Sequence, residues 1–411
     1  MRFIGCKENL LGFIESFVKQ KDIRGNTFCD LFAGTGSVAK HFKKLGYKII
    51  SSDLLYFSYV LQKVYIEQTQ YPKFAKLLKH LKINPVEETL FTSDSQSAKE
   101  IIKYLNNLEG AESFIYKNYS PEGTRGQTNT RKYFTGDNAK RIDAIREKIE
   151  EWKKSNLLNE QEYFFLLGAL IEAVPFVANI SGTYSAFLKE WDKRAFKKLT
   201  LEVPEIIKSD ETHKVFNING LNVFDQIKGI DILYLDPPYN ERQYAPNYHI
   251  LETIAKWDNP GIKGITGMRA YEDQKSEFCN SKSGIKALGE IIKKSDFKHL
   301  ILSYNDDGIM PENEILKLFN NAGKTEVIEQ DYQRYKSNSN GEQKDGVREK
   351  LYYLKSINKN NKLDDLSGSE WIYFLNSVDV THYSTKGTDG FAHHLRGKHP
   401  SPKPPQLMKK F

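Results

Sequence analysis

Hydrophobic spacing along this chain changes character twice. Near the start, Leu10, Leu11, Ile14, Phe17 and Val18 recur at helical spacing, which predicts an amphipathic helix after the segment Phe3-Ile4-Gly5-Cys6-Lys7. A short apolar strand then runs into small residues, Thr27-Phe28-Cys29-Asp30-Leu31-Phe32-Ala33-Gly34-Thr35-Gly36-Ser37, and Val38, Phe42 and Leu45 predict a second helix. Tyr47-Lys48-Ile49-Ile50-Ser51-Ser52-Asp53 reads as another strand that ends in an acid. From about 71 to 210 helical spacing dominates, with one stripe at Ile142, Ile145, Ile149 and Trp152 and another at Phe164, Leu167, Leu170, Ile171 and Val174. Strands return at Val215-Phe216-Asn217-Ile218, at Asp231-Ile232-Leu233-Tyr234-Leu235 and at His299 to Asn305. Lys324–Ile328 and Lys350–Leu354 predict a closing hairpin.

This pattern predicts an α/β fold interrupted by a largely helical insertion. The expected division is 1–70 and 211–356 for one catalytic domain, 71–210 for the insertion, and 357–411 for a C-terminal tail. Composition refines the picture only slightly. The 411 residues carry 60 basic and 53 acidic side chains, a net charge of +7, which leans towards a polyanionic partner but equally fits a solvated surface. Three scattered cysteines, Cys6, Cys29 and Cys279, offer neither zinc nor disulfide spacing. No metal is expected. Without a signal-peptide pattern or a membrane-length apolar run, the expectation is a cytoplasmic protein with no membrane partner.

Two stretches carry candidate chemistry. Asp236-Pro237-Pro238-Tyr239 follows an apolar strand that the prolines cannot continue, so the chain turns at the strand's carboxyl end. Ligands of open α/β sheets sit at that edge. Asp236 and a proline carbonyl can accept hydrogen bonds while Tyr239 stacks, a set suited to a planar ring with an exocyclic amine; a plain surface turn is the competing reading. The second stretch is the turn around Gly34 and Gly36, where glycine lets backbone approach a ligand. Asp53 lies 19 positions after Gly34, as an acid that binds ribose hydroxyls does. Neither Gly-x-Gly-x-x-Gly nor a phosphate-loop Gly-Lys-Ser/Thr is present, so a nucleoside without pyrophosphate fits best.

Together, Phe32-Ala33-Gly34-Thr35-Gly36 and Asp236-Pro237-Pro238-Tyr239 resemble the motifs of S-adenosylmethionine-dependent DNA amino-methyltransferases that modify adenine N6. Phe3-Ile4-Gly5-Cys6-Lys7 looks like their lysine-bearing cofactor motif, with Cys6 departing from the usual small polar residue. The order of motifs is similar to the alpha class. Asp137–Asp143, Gly182-Thr183-Tyr184, Arg242-Gln243-Tyr244 and Ser303-Tyr304-Asn305 resemble the Fok-type subgroup of type II restriction–modification systems. The resemblance implies a Rossmann-like methyltransferase fold with an inserted target-recognition domain, S-adenosyl-L-methionine as cofactor, and double-stranded DNA as partner. A cognate restriction endonuclease would act on the same site without needing to be bound.

By the same resemblance, Phe3, Lys7, Phe32, Gly34, Gly36, Asp53 and Asp236 hold the cofactor. Asp236, Pro237, Pro238 and Tyr239 hold a flipped adenine, and Arg125, Arg131, Tyr184, Lys189, Arg242 and Gln243 contact DNA. Transfer to cytosine N4 or RNA, and a catalytically inactive DNA-binding protein, are the alternatives. The tail ends in Lys403-Pro404-Pro405-Gln406-Leu407, similar to the cofactor motif of permuted relatives. It is read either as a proline-rich tail or as the truncated opening of a second methylase domain.

Overall fold

The computed structural model describes residues 7–84, 94–332 and 347–356. Phe3, Cys6 and the tail from 357 onward lie outside the described residues. The strands predicted from apolar runs are present: β1 (Thr27–Asp30), β2 (Lys48–Ser52), β3 (Lys214–Phe216), β4 (Ile230–Leu235), β5 (Phe297–Asn305), β6 (Gly323–Tyr332) and β7 (Val347–Ser356). They form one seven-stranded sheet in the order β3-β2-β1-β4-β5-β7-β6. The first five strands are parallel, and β7 and β6 complete the sheet as an antiparallel hairpin.

Period-two alternation sorts each central strand onto two buried faces. Phe28, Ile232, Tyr234, Ile301 and Leu351 pack with Leu10, Ile14, Phe17, Val38 and Phe42, from the first two predicted helices, α1 (Leu11–Gln20) and α2 (Ser37–Lys44). Cys29, Leu233, Leu235, Leu300, Leu302 and Leu354 pack the other way, onto α10 (Ser281–Lys294) and α11 (Glu312–Ala322). Leu45 falls just past α2 and is exposed, because its φ and ψ already leave the helix. This order reverses direction between β1 and β4, and a crevice opens at the carboxyl ends of the two strands there.

Between β2 and β3 the chain builds helices of six to nineteen residues around one apolar cluster. They are α3 (Tyr56–Gln62), α4 (Ala75–His80), α5 (Gln96–Asn106), α6 (Phe114–Tyr119), α7 (Gly136–Lys154) and α8 (Glu160–Ala173). Both predicted stripes, on α7 and α8, lie in that cluster. The cluster also takes in Leu55–Tyr65 around α3 and Ala245–Ala255 of α9 (Ala245–Lys256), so the insertion shares its core with catalytic-region helices on either side of it in sequence.

Polar side chains on α7 fasten its surroundings. Asp143 accepts from the backbone N–H groups of Ser113, Ile115 and Tyr116 at the start of α6. Asn138 donates to the carbonyls of Ala195 and Lys197 and accepts from the N–H of Leu199. Buried Arg146 donates to the carbonyls of Ile254 and Ala255 at the end of α9. The resemblance over Asp137–Asp143 therefore falls on residues that hold the insertion together.

Glu252 of α9 ties together the two helices that flank the insertion in sequence, α3 and α9. Fully buried, its carboxylate accepts from the N–H groups of Tyr56 and Phe57 at the start of α3, and from Gln274 Nε2. An acid at a helix N-terminus satisfies orphan donors and the helix dipole together. Glu252→Ala leaves those donors unpaired inside the protein, and we expect a loss of about 2–3 kcal/mol in urea unfolding. Unchanged stability would contradict the capping role.

Candidate active site

Backbone geometry first shapes the crevice. Gly34 and Gly36 follow β1 with φ of 51° and 73°, left-handed values that favour glycine. Gly36 stands at the N-cap of α2. Asp53, just beyond β2, accepts from the N–H of Gly34 at 2.8 Å through Oδ2 and from the N–H of Leu55 at 2.8 Å through Oδ1. The acid and the glycine turn that sequence spacing linked are thus in direct contact. Asp236 follows β4 where its ladder with β5 ends at Leu235. Lys7, Asp30, Phe32, Gly34, Asp53, Asp236, Pro238, Tyr239, Gln243 and Tyr244 all line one cleft.

At its floor lies a buried ion chain. Lys7 is 7% exposed, and its Nζ lies 3.2 Å from Asp236 Oδ1 and 2.6 Å from Glu349 Oε1. Ser303 Oγ donates to the same Glu349 oxygen at 2.6 Å. Burial alone would discharge Lys7, but the carboxylates of Asp236 and Glu349 outweigh it and hold the ammonium above its usual range. The cleft is otherwise rich in acids. Burial pushes Asp53 up to about 6. Burial, with Glu349 nearby, pushes Asp236 up to about 7 despite Lys7. Asp30, wholly buried at the end of β1, is raised well above the carboxylate range by burial and by Asp236 and Asp53, and its Oδ1 has no hydrogen-bond partner. Four carboxyls around one ammonium suit a ligand that brings positive charge.

The expected DNA contacts divide. Arg125, Lys189 and Arg242 are exposed. Arg131 is only 7% exposed, and its guanidinium donates to the carbonyls of Asn118, Gly264 and Ile265. Tyr184 is 1% exposed within an aromatic cluster with Tyr133. Gln243 spends its amide on both backbone groups of Ser276. The polar groups of Arg131 and Gln243 are thus engaged within the protein, and Tyr184 is buried. The Gln243–Ser276 pairing also ties the polar stretch after Tyr239 to another part of the cleft lining.

Sequence reasoning passed over Asp30, Tyr244 and Glu349. Asp30 carried a signal, an acid closing an apolar strand beside the glycine turn. Glu349 carried none, since 342 positions separate it from Lys7. Among the described residues, no group of three or more His, Cys, Asp or Glu is arranged to hold a metal, and no helix is long and apolar enough to cross a membrane.

Comparison with known proteins now decides the family. The model of the D12 class N6 adenine-specific DNA methyltransferase family matches residues 3–317. The chain belongs to that family. Similar relatives are the type II methyltransferase M.FokI of Planomicrobium okeanokoites (40% identical, covering 89% of this chain and 55% of that protein) and the modification methylase StsI of Streptococcus sanguinis (39%, 89% and 53%). The chain spans about half the length of these two. It spans 99% of a third, the type II methyltransferase M.NlaIII of Neisseria lactamica, at 35% identity over 87% of this chain. Membership in this family accounts for the mostly parallel sheet and implies a methyl donor.

The raised carboxyls set a pH dependence for the ligand-free protein. Because Asp53 and Asp236 bind protons more tightly folded than unfolded, they stabilise the fold at low pH, and that contribution is lost as pH rises through about 6 and 7. Asp30, also raised, acts in the same sense. Asp30→Asn removes one such group, so its melting temperature should gain on wild type as pH rises from 5.5 to 8. A constant difference across that range would contradict the assignment.

Proposed function

We propose that this chain is a site-specific DNA adenine methyltransferase, the modification member of a type II restriction–modification system. It moves a methyl group from S-adenosylmethionine to N6 of an adenine flipped out of duplex DNA. The observation that carries the reading is the convergence of Asp236, held by Lys7, with Asp30, the Gly34 turn and Asp53 in one cleft whose mouth carries Tyr239 and Tyr244.

The cleft fits S-adenosylmethionine on its own terms. The partnerless Asp30 Oδ1 is matched to an ammonium, the excess of carboxyls to a sulfonium, and Asp53, with backbone donors already on both oxygens, to ribose hydroxyls. When bound, that group supplies an electrophilic methyl. Phe32 and Gly34 line the wall that would face it, and Gly36 turns the chain into α2 just behind.

The protein's own part is binding and orientation. An adenine amine is hidden inside a duplex, and extruding the base costs a few kcal/mol. Stacking on Tyr239 returns roughly 1–3 kcal/mol of that cost. With Oδ1 engaged by Lys7, Asp236 turns its second oxygen to the amine, and the carbonyl of Pro237, past the end of the β4 ladder, is the second acceptor. Two acceptors hold the amine and draw its lone pair out of conjugation with the ring, so the nitrogen becomes a nucleophile aimed along one direction. A carboxyl near 7 can also hold the proton that the methylated amine sheds. Arg125, Lys189 and Arg242 are the exposed cations available to phosphates, and residues 71–210 are proposed to set target sequence.

Incubation with labelled S-adenosylmethionine and unmethylated duplex DNA, followed by nucleoside analysis, tests the reading. N6-methyladenine is expected; N4-methylcytosine, label in RNA alone, or no transfer would each overturn it. Asp236→Ala should abolish transfer while circular dichroism remains native, and near-normal turnover would remove Asp236 from the mechanism. Tyr239→Ala should weaken turnover by roughly tenfold or more while Tyr239→Phe keeps most of it, since the ring stacks and the hydroxyl does not. Equal loss in both variants would assign the work to the hydroxyl instead.

A further inference from the structure

Glu349 lies on β7, the antiparallel strand that completes the sheet, far in sequence from every motif of the site. It is only 3% exposed, yet its carboxylate is fully committed to the site: Lys7 Nζ and Ser303 Oγ both donate to Oε1 at 2.6 Å. Lys7 reaches Asp236 from the other side, at 3.2 Å. The hydrogen-bond chain therefore runs from Ser303 on β5 through Glu349 on β7 and Lys7 in the N-terminal segment to Asp236 at the end of β4. A salt bridge between Lys7 and Asp236 alone would use one of the ammonium's three donors. The additional buried carboxylate costs desolvation that only a paired geometry offsets.

We propose that Glu349 is a positioning residue for methyl transfer, fixing the Lys7 ammonium against one oxygen of Asp236 and keeping that ammonium from fully neutralising the catalytic carboxylate. The inference rests on the functional reading above. It has a geometric and an electrostatic part. Held from both sides, Lys7 has one place to sit, so Asp236 is presented in one rotamer with its second oxygen turned to the substrate amine. Shared between two carboxylates, Lys7 leaves Asp236 more basic than a one-to-one ion pair would. The charged and titratable groups that face Asp236 are Lys7 from the N-terminal segment, Glu349 from β7, Asp30 from β1, Tyr234 from β4 and Tyr244 from the start of α9. Of these, Glu349 is the one anion in direct contact with Lys7 besides Asp236.

The experiment compares pH profiles of kcat for wild type, Glu349→Gln and Glu349→Asp, with duplex DNA and S-adenosylmethionine both saturating. Removing the charge lowers the proton affinity of Asp236, so the acidic limb of Glu349→Gln should move down by about half a pH unit or more. Its kcat should fall while both KM values stay within about threefold. Glu349→Asp keeps the charge and should keep the wild-type limb at reduced kcat. An unshifted limb in Glu349→Gln, or a limb that shifts equally in Glu349→Asp, overturns the proposal. Should Glu349→Gln fail to fold, Ser303→Ala decides. It takes one of the two donors from Glu349 and should lower kcat several-fold at unchanged KM, whereas an unchanged kcat overturns the proposal. Wild-type enzyme that transfers no methyl to DNA would instead overturn the functional reading, so the two failures are distinguishable.

Discussion

One buried ammonium constrains much of this architecture. Lys7 is nearly sealed from water, so it has to meet its anions inside the protein, and it meets them on two strands that are not adjacent in the sheet. Lys7 must therefore lie near the carboxyl end of β4 and beside the hairpin strand β7. Removing one partner from such a buried pair typically costs roughly 3–5 kcal/mol. That penalty keeps the start of the chain, the catalytic strand and the last strands of the sheet in mutual register. The pairing also joins the antiparallel hairpin to the floor of the cleft as well as to the sheet's edge.

Around that cation the crevice concentrates negative charge. In open α/β sheets the switch point supplies space, but space alone does not choose a ligand. Here the choice is electrostatic. Burial raises Asp30, Asp53 and Asp236, so on the functional reading proposed above a cation among them would draw them towards their ionised forms.

Local sequence carried the central features because they depend on neighbours in the chain. The turn at Gly34 and Gly36 needed positive φ, and Asp53 sat at a spacing that one strand–helix–strand unit enforces. The double proline ended β4 where the ligand edge begins. What stayed hidden was non-local. Nothing near Glu349 marks it as a partner of Lys7, because only the sheet order brings them together. Arg131 and Tyr184 looked like nucleic-acid contacts for a related reason. Basic and aromatic residues in polar loops have the same appearance whether they face solvent or brace neighbouring loops, and these two brace. The expected boundary near 70 and 210 marks where the strand pattern stops and resumes, whereas the core ignores it and continues into α3 and α9.

That shared core bears on how target recognition and chemistry are joined. The helix α9 begins one residue after Tyr244, at the mouth of the cleft, and the loops of the insertion are fastened to it. The N–H of Tyr184 donates to the carbonyl of Asn247 at 2.8 Å, and the carbonyl of Tyr184 accepts from Tyr133 Oη at 2.8 Å and from His249 Nε2 at 2.9 Å. Because a carbonyl can only accept, His249 must carry its proton on Nε2 there, and burial holds the ring neutral by lowering its pKa to about 4. Tyr119 joins the same cluster and donates to the carbonyl of Gly267, which brings the ribbon of Ile262–Lys263 and Met268–Arg269 to the same anchor. A loop held this way moves with α9 or not at all. The insertion is therefore placed on α9 by packing and by these hydrogen bonds, beside the segment that carries Tyr244 into the cleft.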